Sequence, residues 1–266
     1  MTADSFGIRD AGVGHQVAVR VPVAPLHAEA RVSSPQVSQR LAGHLMTVLE
    51  RKDEWLRARG EDGYEGWVHV GYLEAPPAAP VSGRLVSLGC TAGRPGAEPR
   101  MLPLGAWLAP EERVTAGEAI AAEVMARRFP RDGAAIARTA TERFAGTSYQ
   151  WGGITPWGAD CSGLVQSTFA LHGVGLPRDA WQQALEGRDA GRDLASLAPA
   201  DLLFFSDRAD GRVTHVGIAL GGARMVHLAL GRGGWAVERL DDARDGYVQA
   251  LVGRFTGARR LLPDGR

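Results

Sequence analysis

The residues YQWGG at positions 149–153 and ADCSGL at positions 159–164 decide the fold of the second half of this chain. They place a lone cysteine, Cys161, where a glycine-rich loop turns into a helix. A helix N-terminus beside a histidine favours the thiolate, which is the nucleophilic form of cysteine. Two histidines follow, His215 and His227, each within a segment that has the character of a strand. One cysteine with separated histidines is typical of a catalytic nucleophile, so the sequence predicts a thiol site if the three residues meet.

The composition is that of an ordinary globular protein, with 45% hydrophobic and 23% charged residues among 266. Lys and Arg balance Asp and Glu at 30 each, and there is no dense basic run. The chain therefore has no electrostatic footprint for nucleic acid or for an anionic membrane surface. No segment approaches the roughly 18 apolar residues that span a bilayer. No motif indicates a cofactor.

The cysteine count and the first residues bear on the cellular compartment. The two cysteines, Cys90 and Cys161, are unclustered, which favours free thiols over a disulfide. The first ten residues lack the basic and apolar regions of a secretory leader. We therefore expect a cytoplasmic protein.

The first half of the chain has short alternating runs that are rich in glycine and proline. Residues 44–49, 54–59 and 64–70 are predicted strands separated by turns, which suggests a small barrel within a domain over 15–75. The proline-rich run at 74–80 predicts a stiff linker. Residues 84–108 resemble a second, less regular unit of the same type, within a domain over 81–130.

From residue 132 the pattern changes to helices and strands, which predicts an α+β domain over 132–260. Helices are predicted over 132–144 and over 161–172, and the second ends before Gly173. The thiol of Cys161 shares a helical face with Leu164, Val165, Thr168 and Phe169, so it lies on the buried side. Strands are predicted at 202–205, 213–220, 225–230 and 236–240.

Alternation along the strands tests whether the histidines meet. His215 shares a face with Gly217 and Ala219, and these small residues would let the cysteine helix approach. A three-residue hairpin loop over 220–222 pairs residues whose numbers sum to 442, which places His215 opposite His227. A two-residue loop would send the two histidines to opposite faces of the sheet.

Less specific interpretations of the same residues remain open. A lone strand histidine is most often structural, and a lone cysteine is most often a small buried hydrophobe. A zinc site from Cys161, His215 and His227 is chemically possible, but the spacing lacks the short intervals of zinc motifs. The remaining histidines have no comparable partners and are interpreted as structural: His15, His27, His44, His69 and His172.

Five runs in the second half resemble, as an ordered set, the NlpC/P60 cysteine peptidases. They are residues 149–153, 160–164, LPR at 176–178, DLLFF at 201–205 and THVGI at 214–218. The resemblance implies a papain-like enzyme that cuts bacterial cell-wall peptides. The third catalytic residue of that family is polar and often histidine, and it falls on His227.

Three runs in the first half, at 25–30, 38–41 and 62–68, resemble the bacterial SH3-like domain that precedes this catalytic domain in the dipeptidyl-peptidase branch. That branch recycles murein fragments inside the cell. The resemblance implies that this domain restricts the cleft and reads the free amine of an N-terminal L-Ala. By position in the motif, Glu29 and Tyr64 take that role, with a contribution from Asp160. A surface charge at Glu29 and a barrel-core aromatic at Tyr64 are the alternative interpretations.

The implied architecture is a papain-like α+β catalytic domain preceded by small all-β SH3-like barrels. The implied reaction releases L-Ala-γ-D-Glu from murein peptides, with Cys161 as nucleophile, His215 as base and His227 as orienting group. The Cys161 N–H and the Tyr149 hydroxyl would stabilise the oxyanion. The substrate residues would include Trp151 and Ser162, the latter at the α-carboxylate of D-Glu. The alternatives are an amidase or acyltransferase on the same scaffold, and a wall-binding protein with a vestigial site.

Overall fold

The computed structural model describes residues 7–76 and 83–263. The chain divides into two compact units, residues 1–125 and 126–266, and each is described by itself. Of the linker predicted at 74–80, residues 77–80 lie outside the described residues. No helix in the described parts of the chain is long and apolar enough to cross a membrane.

The first unit is rich in strands. A seven-stranded sheet has the order β3-β2-β6-β5-β4-β1-β7, and a three-stranded sheet has the order β10-β8-β9. The first sheet comprises β1 (Gln16–Val19), β2 (Val23–His27), β3 (Gln36–Leu41), β4 (Leu45–Lys52), β5 (Trp55–Gly60), β6 (Glu65–His69) and β7 (Leu73–Glu74). The second sheet comprises β8 (Leu85–Gly93), β9 (Arg100–Leu102) and β10 (Arg113–Ala121).

The three strands predicted for the first barrel are confirmed as β4, β5 and β6. Their alternate apolar side chains, including Met46, Val48, Leu56 and Val68, meet in one buried cluster. That alternation is what a strand with one face on a core requires. The second SH3-like domain stays a prediction.

The second unit has the α+β class that the sequence predicted. It is built on a six-stranded antiparallel sheet of order β13-β18-β14-β15-β16-β17. The sheet comprises β13 (Arg188–Gly191), β14 (Leu202–Phe205), β15 (His215–Gly221), β16 (Arg224–Ala229), β17 (Gly234–Arg239) and β18 (Phe255–Arg260). A separate two-stranded ribbon comprises β11 (Ile154–Thr155) and β12 (Gly158–Ala159). The helices are α1 (Met125–Arg128) at the boundary of the units, α2 (Gly133–Arg143), α3 (Cys161–Leu171), α4 (Ala180–Gln183) and α5 (Gly246–Val252).

Aspartates begin the two long helices. The Asp132 carboxylate accepts a hydrogen bond from the N–H of Ala135 at the start of α2, and Asp160 accepts one from Gly163 at the start of α3. Each side chain satisfies a backbone donor that has no partner within its own helix. Both predicted helices are therefore confirmed. The α3 residues on the stripe with Cys161 are buried, as expected.

The hairpin between β15 and β16 corrects the predicted register. Gly221 pairs with Arg224 across a two-residue loop, and both loop residues have positive φ, 59° at Gly222 and 56° at Ala223, as in a type I′ turn. A two-residue loop alone would place the two histidines on opposite faces of the sheet. A bulge between Ala219 and Gly221 adds one residue and restores even parity, so that pairs sum to 444 and not 442.

The histidines therefore share a face but are not directly opposite. Ile218 pairs with Val226, and continuing this register sets Gly217 opposite His227, with His215 on the diagonal. Diagonal neighbours remain within reach when their side chains are aromatic.

The expectation that small residues beside His215 admit the cysteine helix is wrong. A Cβ atom at Gly217 would lie 2.3 Å from the sulfur of Met225, so the Met225 side chain already occupies that space. Ala219 belongs to a buried cluster with Met225 and with Leu251 of α5. This face of the sheet packs towards α5.

Candidate active site

Cys161 is the first residue of α3 and is buried. The backbone N–H groups of Val216 and Ser162 act on its sulfur and lower the pKa of the thiol, against the effect of burial. Val216 follows His215 in β15, so the thiol lies beside the start of the strand that carries the predicted base. The helix start and the strand start thus meet at this sulfur.

The ionisation of the substrate-free site differs from the expectation. Burial, with a smaller contribution from the Asp160 carboxylate, raises the pKa of the Cys161 thiol to about 12. Burial, and then the neighbouring His227, lowers the pKa of His215 to about 3. Both shifts disfavour charge in a dry site. Both shifts run against the thiolate expected from the sequence and favour a neutral thiol beside a neutral imidazole.

Tyr149 is half-buried in the loop before α3. Burial, followed by the charges of Cys161 and Asp160, raises the pKa of its hydroxyl group above the ordinary value. The phenol stays protonated and can donate a hydrogen bond. Cys161 is one of the groups that shift this pKa, and the oxyanion role of Tyr149 stays a prediction.

The two histidines meet. His215 Nε2 lies 2.8 Å from His227 Nδ1, and the ring centroids are 5.0 Å apart in an edge-to-face arrangement. His227 is fully buried, at 0% exposure, and its Nε2 lies 3.4 Å from Glu238 Oε1. Glu238 is also buried and forms an ion pair with Arg232 at 2.7 Å.

A buried ion pair fixes the residue that precedes the thiol. Arg178, only 1% exposed, donates to both oxygens of the Asp160 carboxylate at 3.0 and 2.7 Å. That carboxylate also accepts hydrogen bonds from Gly163 N, Gly152 N and the Ser162 hydroxyl. A carboxylate has about four lone-pair sites, so these five bonds fill them. Asp160 first serves to hold the loop and the helix start, and its role at the substrate amine stays a prediction.

Two other predicted substrate residues belong to the loop before α3 and to its first turn. The Ser162 hydroxyl is buried and accepts a hydrogen bond from Arg178 at 2.8 Å. Trp151 is 66% exposed, at the turn before the ribbon. Their substrate roles stay predictions.

The predicted amine-reading residues belong to the first unit. Glu29 is exposed, and its carboxylate pairs with Arg31 at 3.0 Å. Tyr64 is half-buried, and its backbone N–H donates to Asp62 at 3.0 Å. Their role at the substrate amine stays a prediction.

Sequence reasoning missed two residues of this region. Arg178 was present in the LPR run, but nothing indicated its partner 18 positions earlier. Glu238 interrupts the apolar alternation of the strand predicted at 236–240, and this was the available signal. Across residues 7–76 and 83–263, no group of three His, Cys, Asp or Glu side chains is arranged to hold a metal ion.

Two protein-family models match parts of the chain. The NlpC/P60 family model matches residues 146–252, a range that includes Cys161, His215, His227 and Glu238. The bacterial SH3 domain model matches residues 22–74, which contain β2 to β7.

Curated relatives match the second half. The chain is 44% identical over 85 residues to a γ-D-glutamyl-L-lysine dipeptidyl-peptidase of Bacillus subtilis, and the match covers 32% of this chain and 28% of that protein. It is 35% identical over 121 residues to the enzyme of the same name from Bacillus cereus, 45% of this chain and 34% of the relative. The chain thus spans about a third or less of the length of these relatives.

A solved structure resembles the fold over nearly the whole chain. The crystal structure of an NlpC/P60 family protein from Bacillus cereus superposes with a TM-score of 0.75, covering 93% of this chain and 100% of the other. At 19% identity, that similarity bears on the fold alone.

Proposed function

Since the chain carries a bacterial SH3 domain followed by an NlpC/P60 domain, we propose that it is a cysteine peptidase that hydrolyses the γ-D-glutamyl–L-diamino acid bond of murein peptides. One observation carries the proposal. A buried cysteine at the start of α3 lies beside the strand of a histidine pair whose ring nitrogens are 2.8 Å apart. Nucleophile, base and orienting group are the parts that covalent acyl transfer requires.

The proposed reaction begins with proton transfer. His215 Nε2 is engaged by His227, so His215 Nδ1 is the nitrogen available to take the thiol proton as Cys161 Sγ attacks the γ-carbonyl carbon. The tetrahedral intermediate collapses when the imidazolium gives that proton to the amine of the diamino acid, and the C–N bond breaks. A thioester to L-Ala-γ-D-Glu remains. Water, deprotonated by His215, then releases the acid and regenerates the thiol.

The oxyanion of each intermediate needs donors near the sulfur. The Cys161 N–H at the helix start and the protonated Tyr149 hydroxyl supply them in this proposal. One such donor typically contributes about 10²–10³ in rate.

The substrate class is inferred from the relatives, whose names specify γ-D-glutamyl-L-lysine dipeptidyl-peptidase activity. We assign recognition of a free L-Ala amine to Glu29 and Tyr64 by their motif positions, with Asp160 beside the thiol. Trp151 and Ser162 complete the proposed substrate site. An acylated amine carries no charge, so it could not form the charge-assisted hydrogen bonds that these carboxylates would offer to a free ammonium group. A peptide with a free amine is a product of murein breakdown, which fits recycling in the cytoplasm.

The test compares L-Ala-γ-D-Glu-L-Lys with its N-acetylated form by mass spectrometry of the products. We expect L-Ala-γ-D-Glu and free Lys from the first peptide and little turnover of the second. Equal rates would refute amine recognition.

Two cysteine variants test the thiol. Cys161→Ala should abolish turnover, whereas Cys90→Ala, which changes the buried cysteine of β8, should retain it. Full activity in Cys161→Ala would refute the thiol mechanism. Transfer of the acyl group to an added amine in preference to water would favour an acyltransferase.

A further inference from the structure

His227 does not end the chain of polar contacts that begins at His215. It is fully buried, and both ring nitrogens have partners, His215 at Nδ1 and Glu238 at Nε2. In the register of β16 and β17, Glu238 faces Met225, two residues from His227. Side chains two residues apart on a strand point to the same side, so the carboxylate and the imidazole share a face of the sheet.

The proton positions follow from the partners. A carboxylate only accepts hydrogen bonds, so contact with Glu238 requires the His227 proton on Nε2. His227 Nδ1 then carries a lone pair and accepts the proton of His215 Nε2. His215 is left with its lone pair on Nδ1, the nitrogen that takes the thiol proton in the proposed reaction. The tautomer of His215 is thus set by Glu238, which acts through the imidazole of His227 between them.

Glu238 is itself held in place and kept ionised. Arg232 donates to both of its oxygens, Nε to Oε1 at 2.7 Å and a terminal nitrogen to Oε2 at 3.0 Å. Contact with His227, and then with Arg232, lowers the pKa of Glu238 to about 2. Arg232 also pairs with Asp245, which accepts hydrogen bonds from the first N–H groups of α5. The carboxylate is therefore tied to the scaffold on the side away from the imidazole.

We propose that Glu238 is a positioning residue that holds His227 with its proton on Nε2, and thereby presents the unprotonated Nδ1 of His215 to Cys161. Its effect on turnover rests on the proposed peptidase function. Its effect on the tautomers does not, because these are properties of the substrate-free protein. Arg232 acts one step further out by keeping the carboxylate charged and oriented.

The direct test is nitrogen NMR of the protein labelled with ¹⁵N-histidine, because the two ring nitrogens of neutral imidazole have distinct shifts when protonated and unprotonated. We expect His215 and His227 both to be protonated on Nε2 in the unmodified protein. Protonation of His227 on Nδ1 would overturn the proposal without any variant being made.

Variants then test the cause. Glu238→Leu removes the acceptor and should mix the His227 tautomers, whereas Glu238→Gln retains an oxygen acceptor and should preserve them. Asp241→Asn is the matched control, since it removes a carboxylate from an exposed pair with Arg239 in the segment that follows the same strand. Unchanged tautomers in a folded Glu238→Leu variant would overturn the proposal.

Reactivity separates this inference from the proposed function. Alkylation of Cys161 by iodoacetamide requires no substrate. Its rate, measured by mass spectrometry of the peptide that contains Cys161, should fall in Glu238→Leu and recover in Glu238→Gln. On the murein tripeptide, kcat should fall about 10- to 10⁴-fold in Glu238→Leu with little change in KM. If the unmodified protein does not cut the peptide but the tautomers and alkylation rates respond as stated, the peptidase proposal fails and the positioning role stands. Equal alkylation rates in all variants would refute the positioning role.

Discussion

Removing the guanidinium of Arg178 should destabilise the second unit more than any surface charge change. Arg178→Met keeps most of the apolar volume but leaves the buried Asp160 carboxylate without its counter-ion, and it removes hydrogen bonds to Ser162 Oγ and to Gly153 O. Breaking a buried pair in this way costs about 3–5 kcal/mol, because the remaining charge is left uncompensated. Three donors to Asp160 survive, from Gly152, Gly163 and Ser162, which favours the lower end of that range.

The assay is the free energy of unfolding of α3, measured by hydrogen exchange of its peptides across a urea series, which separates this unit from the other. The matched control is Arg208→Met, whose pair with Asp210 is about half exposed on both sides, 54% and 53%. We expect at most about 1 kcal/mol from the control. Adding Asp160→Asn to Arg178→Met should cost less than the sum of the two single changes, with a coupling of about 1–3 kcal/mol. A loss in Arg178→Met no larger than in the control, or additive single changes, would refute the assignment of a buried, coupled pair.

Three further outcomes are expected. Alanine normally gains about 1 kcal/mol over glycine inside a helix, but Gly163→Ala should destabilise, since its Cβ would lie 2.0 Å from a backbone carbonyl oxygen. Gly246→Ala, with nothing within 4 Å, should not destabilise, and equal urea midpoints for the two would contradict this. With the pKa of His215 lowered to about 3 and that of Cys161 raised to about 12, loss of the base occurs only at low pH and loss of the thiol proton only at high pH. The value of kcat/KM should therefore stay flat from about pH 5 to 9, and an acid limb near the ordinary histidine pKa of about 6.5 would count against these shifts. Trp151→Ala should raise KM while the free energy of unfolding stays within about 0.5 kcal/mol, because its ring is mostly exposed; an unchanged KM would remove Trp151 from the substrate site.

Local signals in the sequence were sufficient for the two long helices and for four of the six sheet strands of the second unit, but β13, β18, α4 and α5 were not predicted. Asp132 and Asp160 precede their helices because an aspartate side chain satisfies the first free N–H groups, and that signal depends only on neighbours in the chain. The strands followed from apolar runs between glycines. Parity could place His215 and His227 on one face, but it could not place the bulge, because an unpaired Leu220 is set by the packing of both strands and not by the loop residues alone.

The residues that control the site's chemistry were harder to predict because their partners are distant in sequence. Arg178 reaches Asp160 across 18 positions, and Glu238 reaches His227 through a β16–β17 register that fixes which side chains share a face. The effect of burial is equally hard to predict from the sequence, because the raised pKa of the Cys161 thiol comes mainly from surrounding atoms that the local motif does not specify. A helix N-terminus beside a histidine predicts a thiolate only where water reaches the sulfur. In this closed site burial favours the neutral pair, and in the proposed reaction the residues behind His215 hold its lone pair towards the thiol.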